Sequence, residues 1–262
     1  MATWDAGKGT PGDVPAWRDK VTFMADANWQ RRLFDWFPAT LVLLTVALIL
    51  FGFSHTVGRE LMDAGKVPPV ILVAHAIMAV AWLVLLSVQV SLVATGRVAL
   101  HRRLGIFGAG LGVAMSIVAL ITAIVMRKLD HVGDPIANLA YLSIPLGAWV
   151  SFTVPFALGL AWRARPERHR PLMIIAACLL ASPALGRLPE IRKAGLYLTG
   201  LIPDCFVIAA MIHDRLRAGR WSRVYLCALP VVLLVQGTAV YLELAQPEFW
   251  ISTVRWILSA VP

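Results

Sequence analysis

The dominant pattern along the chain is a succession of long, nearly unbroken apolar runs separated by short basic stretches. An α-helix needs about 20 mostly apolar residues to cross hydrocarbon. Seven runs are candidates: 37–57, 68–94, 103–127, 135–162, 171–187, 196–214 and 222–243. None alternates apolar with polar residues as the strands of a membrane barrel do. The pattern predicts an all-α polytopic bundle of about seven transmembrane helices over 37–245. A polar interfacial segment, 1–36, precedes it, and the tail 246–262, "QPEFWISTVRWILSAVP", reads as an amphipathic helix lying on the membrane surface. The fifth run is the shortest and contains Pro183, so a kink is expected there.

Composition agrees with the pattern. Of the 262 residues 59% are hydrophobic and only 15% charged, far from the balance of a soluble domain. The net charge of +9 is spread in clusters between the apolar runs. That distribution suits anionic lipid headgroups beside short loops, and it argues against a nucleic-acid partner. Most of the basic residues fall in alternate segments: Lys8, Arg18, Lys20, Arg31 and Arg32; Arg97, Arg102 and Arg103; Arg163, Arg165, Arg168 and Arg170; Arg215, Arg217, Arg220 and Arg223. The bias of Lys and Arg toward the cytoplasm then puts the N terminus inside and the C terminus outside. Trp29, Trp36, Trp162 and Trp221 fall at the inner ends, where an indole sits at the headgroup level.

Polar residues inside apolar runs carry the candidate chemistry. Asp204 lies eight residues into the sixth run, roughly 12 Å deep. His75 lies about 10 Å into the second run from the same side. Arg187 lies about 24 Å along the fifth, which runs the other way. All three are expected in the outer third of the membrane, where an ionisable residue faces the bundle interior and finds a partner. Asn138, Tyr141 and Glu243 fall at comparable depth, and His75, Trp82 and Gln89 form one stripe with a seven-residue repeat. The expectation is a polar pocket of His75, Arg187, Asp204, Gln89 and Tyr141 that binds or passes a small ligand, ion or proton. Two further readings remain open: helix-fastening by an Asp204–Arg187 pair, and an accessory role docking onto another membrane protein.

A second constellation suggests haem b. His101 and His169 each precede an arginine at the inner ends of their helices, matched in depth, and His213 ends the sixth run on that side. Two imidazoles on facing helices are the axial set of a b-type haem; contact of both with lipid phosphate is the alternative. Cys178, Cys205 and Cys227 have no metal-ligand spacing and are expected as buried free thiols. His55 and His131 fall in outer loops. Gly105, Gly108 and Gly112 make a small-residue face for close helix packing. Hydrolase elbows, zinc-protease helices, phosphate loops and dinucleotide fingerprints are absent from the sequence.

The stretches "HAIMAVAWLVLLSVQVSLVATGRVALHRRLGIFG" and "HRPLMIIAACLLASPALGR" resemble a bacterial family of multi-pass membrane proteins to which no activity is attached. The matching residues are His75, Gln89, His101, Arg102, Gly105, His169, Met173 and Arg187. The resemblance covers about the middle half of the chain. It implies a protein of the bacterial inner membrane and draws attention to His75, His101, His169 and Arg187. Asp204 is not part of that pattern.

Overall fold

The computed structural model describes residues 36–56, 67–129, 133–195 and 197–260. The expected interfacial segment 1–36 (all but its last residue) and His131 lie outside them. All regular structure among the described residues is helical. Chain order gives α1 (Trp36–Thr56), α2 (Val70–Ala94), α3 (Val98–Leu129), α4 (Pro135–Ala140) and α5 (Ser143–Ala161). These are followed by α6 (Pro166–Leu179), α7 (Ser182–Leu185), α8 (Pro189–Ala194), α9 (Leu198–Ala218), α10 (Arg223–Ala245) and α11 (Glu248–Ser259).

Local chemistry explains the boundaries. Pro68 and Pro69 precede α2, where their fixed φ suits a helix start. Asp134 caps α4, its side chain accepting from the Ile136 N–H at 2.8 Å, with Pro135 in the first turn. Gly219 ends α9 in the left-handed region, φ 68°, which favours glycine.

Five helices are long and apolar enough to cross a membrane: α1, α2, α3, the unit Pro135–Ala161 made by α4 and α5, and α10. Their outward faces carry rows of exposed aliphatic side chains, such as Ile77, Val80 and Val84 on α2 and Val113, Ile117 and Ile121 on α3. Water does not tolerate apolar surface of that extent, whereas hydrocarbon does. This is the surface of a membrane protein.

The other two apolar runs differ from the simple expectation. Run 171–187 is not one helix: α6 ends at Leu179 and a short turn leads into α7. Pro183 has no N–H and its ring meets the carbonyl four residues back, at Leu179, where α6 stops. The sixth run does form one helix, α9, but it carries Asp204, Asp214, Arg215 and Arg217, so it falls outside the uniformly apolar set. The cysteines also divide: Cys178 is buried, while Cys205 and Cys227 are exposed on α9 and α10.

Two apolar clusters hold the bundle. In the first, Val42, Val46 and Ile49 of α1 pack on Leu83 and Leu86 of α2, Ala177 of α6 and the α7 region. In the second, Trp82 stands edge-on to Phe152 (5.7 Å) and Phe156 (5.2 Å) of α5, with Met115 of α3 and Ala176 of α6 around them. The Phe156 ring fits against Gly112 so closely that a Cβ there would overlap it. Between helices, Trp149 donates to the Ser116 carbonyl at 2.7 Å and Ser143 to the Ala239 carbonyl at 2.8 Å. At the end remote from the basic turns, α11 buries Ile251 and Val254 against α3 and α4 and exposes Phe249 and Trp256.

Because Phe156 is clamped between Gly112 and Trp82, Gly112→Ala should overpack the cluster. The expected cost is about 1–3 kcal/mol, measured as a lower melting temperature in detergent with the helix content unchanged.

Candidate ligand-binding site

Among the described residues Asp204 is the most buried charged-type side chain, with 2% of its surface exposed. One helical turn before Pro203 and Asp204, α9 carries Thr199 and Gly200 on the same face. Gly200 has no side chain where Gln236 of α10 crosses; a Cβ there would lie 2.6 Å from Gln236 Oε1. That space lets the Gln236 amide reach Asp204, donating to Oδ1 at 3.1 Å. The other oxygen, Oδ2, is buried and has no hydrogen-bond partner.

Asp204 and Gln236 line a cavity of about 310 Å³ between α5, α9, α10 and the α6–α7 break. Its walls are mainly aliphatic, with Ser151, Ser182 and Thr199 as further polar members. Ser151 Oγ is also buried and also lacks a partner. Two orphaned polar atoms from different helices thus belong to side chains lining one cavity. A buried polar atom left unsatisfied costs roughly 1–3 kcal/mol, so the cavity favours an occupant that can satisfy them. Donors are what Oδ2 requires; Ser151 can accept or donate.

The other residues singled out in the sequence go elsewhere. Arg187 donates to the Pro183 carbonyl at 2.7 Å and its guanidinium lies 4.1 Å over the Phe53 ring of α1. Arg187 comes within electrostatic range of His75, but neither residue lines the Asp204 cavity. His75, Arg187 and Asp204 therefore occupy two places, not one. Tyr141 is exposed, with the Arg127 guanidinium 5.1 Å from its ring. Arg127 also donates to the Asn138 carbonyl at 2.9 Å and lies within range of Glu243, a separate polar group where the C-terminal ends of α3 and α10 meet α4.

The stripe His75, Trp82 and Gln89 on α2 faces the interior, and each member meets a different neighbour. Gln89 reaches α3: with its amide nitrogen turned that way it donates to His101 Nδ1 (2.6 Å) and to the His101 carbonyl (3.2 Å), while its oxygen accepts from the Gly105 N–H (3.0 Å). His101 in turn stands beside His169, ring centroids 6.4 Å apart. The two rings are therefore neighbours, one from α3 and one from α6.

Two elements escaped the sequence reading. Gln236 was visible as a lone amide in the seventh run, 14 residues past its start; a depth count puts it about 21 Å along, level with Asp204. The second is a partly buried ionic group at the basic end, where Asp214 pairs with Arg170 and accepts from His213 Nδ1 at 3.1 Å. Tyr225 is fully buried within electrostatic range of Asp214 and Arg170. Asp214 stands in a basic stretch of the sequence and was not singled out there.

Comparison with protein-family models, with curated proteins and with solved structures returned no match.

Removing the amide alone with Gln236→Leu should leave both carboxylate oxygens unpartnered and lower stability by about 1–3 kcal/mol. Adding Asp204→Leu should recover part of that loss, since the orphan is then gone. Thermal unfolding of the two single variants and the double variant measures the coupling.

Proposed function

We propose that this chain is an inner-membrane protein that binds or passes a small ligand through the Asp204 cavity. The observation that carries the reading is the buried, half-unpartnered carboxylate, joined by an unpartnered serine hydroxyl in a mainly aliphatic chamber. The occupant's chemistry follows: an apolar body with a cationic or hydrogen-bond-donating head, or a small cation. A carboxylate without a counter-charge in a low-dielectric interior is expensive, and a positive head beside it restores balance. Selectivity would come from Asp204 and Ser151, with Gln236 and Thr199 orienting the head and the aliphatic walls measuring the body.

In this reading the chain crosses the membrane seven times, with α6–α7 and α9 as the fifth and sixth passages. The basic turns at Arg163–Arg170 and Arg215–Arg223 face the cytoplasm, so the cavity lies in the outer half. Shielding by α5 and α10 makes it tolerable for the less apolar passages to stand in the bundle. A reporter that is active only in the cytoplasm should therefore work when fused to the N terminus and fail when fused to the C terminus.

The binding test uses purified protein in detergent and a panel of small aliphatic and aromatic amines. A ligand at a hundredfold excess over its Kd adds about 2.7 kcal/mol of stability, a rise of several degrees in melting temperature. Asp204→Asn keeps an acceptor for Gln236 and loses only the charge, so it should abolish the rise for amines while folding normally. An identical rise in wild type and Asp204→Asn would rule the site out.

A further inference from the structure

We propose that His101 and His169 are the two axial ligands of a haem-type metalloporphyrin held at the basic end of the bundle, a site separate from the Asp204 cavity. The first support is spacing. The ring centroids lie 6.4 Å apart with the planes at 66°. A metal bonded to one nitrogen of each ring at about 2 Å, with each ring centre about 1.2 Å beyond its nitrogen, separates the centroids by about 6–6.5 Å.

The second support is the outer hydrogen bonding. A metal-bound histidine almost always gives its other ring nitrogen to a carbonyl, carboxylate or similar partner. His169 Nδ1–H donates to the Gly159 carbonyl at 2.8 Å, which leaves a lone pair on Nε2. His101 Nδ1 is held at 2.6 Å by the Gln89 amide. In the orientation that satisfies the amide its nitrogen faces the ring and its oxygen takes the Gly105 N–H, so Nε2 carries the proton. Metal binding would need a half-turn that brings the amide oxygen to the Nδ1 proton and frees Nε2 as a ligand. Gln89 is thus a positioning residue that sets which tautomer His101 presents.

Ligand number and charge choose the group. Among the described residues no set of three or more His, Cys, Asp or Glu side chains is placed to hold a metal ion, and a bare ion of the zinc type wants three or four protein ligands. A porphyrin brings its own four and needs only two. Arg102 flanks one imidazole in sequence, and Arg168 and Arg170 flank the other. Arg170 is engaged by Asp214 and Arg168 lies over the Trp162 ring, whereas Arg102, within electrostatic range of the His101 ring, repels a dication and suits a haem carboxylate.

The test is full-length protein purified in mild detergent and titrated with hemin. Expected are a Soret band, one haem per chain, and a six-coordinate low-spin spectrum. His101→Ala and His169→Ala should each lower the haem-to-protein ratio at least tenfold with an unchanged gel-filtration profile. His169→Met keeps a competent axial ligand, so it should retain haem with a shifted spectrum even if the alanine variants fold poorly. The assignment is overturned by wild-type protein that takes up no hemin, by uptake that both alanine variants preserve, or by stoichiometric zinc or copper without a Soret band.

Discussion

Hydrocarbon offers no hydrogen bonds, and that constraint orders this molecule. Backbone groups must be satisfied within helices, so all regular structure among the described residues is helical. Side-chain polar groups must find partners inside the bundle or at its ends. The hydroxyls of Ser87, Ser91 and Ser116 turn back to carbonyls of their own helices at 2.7–2.9 Å. Trp149 and Ser143 cross to neighbouring helices for theirs. Among the buried side-chain atoms left without a partner, those of Asp204 and Ser151 belong to residues that line one cavity.

With the solvent apolar, burial of apolar surface does little to hold helices together, and close packing takes over. The Trp82, Phe152 and Phe156 rings meet at 5.2–5.7 Å. They knit α2 to α5, and the bare backbone at Gly112 draws α3 against them. The same device recurs at Gly200, where a missing side chain admits Gln236. One glycine serves the core and the other the site.

How much was legible in the sequence depends on what each feature rests on. Helix content and most boundaries follow from apolar length, prolines and capping residues, so they could be read directly. The interior burial of Asp204 followed from its depth in an apolar run. Its partner did not, because depth places a residue along the membrane normal and says nothing of rotation about the helix axis. Arg187 shows the difference: Pro183 breaks the run before it, and the guanidinium turns to Phe53 on α1 instead of to α9. The His101–His169 pairing was legible because both residues sit at the same end, each four residues into its helix. The Arg170–Asp214 pair was hidden by the charges around it.

The interruption after Leu179 also bears on how the chain enters its membrane. Fourteen residues, with charges in the opening turn, make α6 too short to partition on its own, and α9 brings a carboxylate that lipid alone would reject. If, as proposed, both segments cross the membrane, neither would insert singly: they would wait beside the translocation machinery until α10 arrives with its amide, and the C-terminal half would enter in one concerted event.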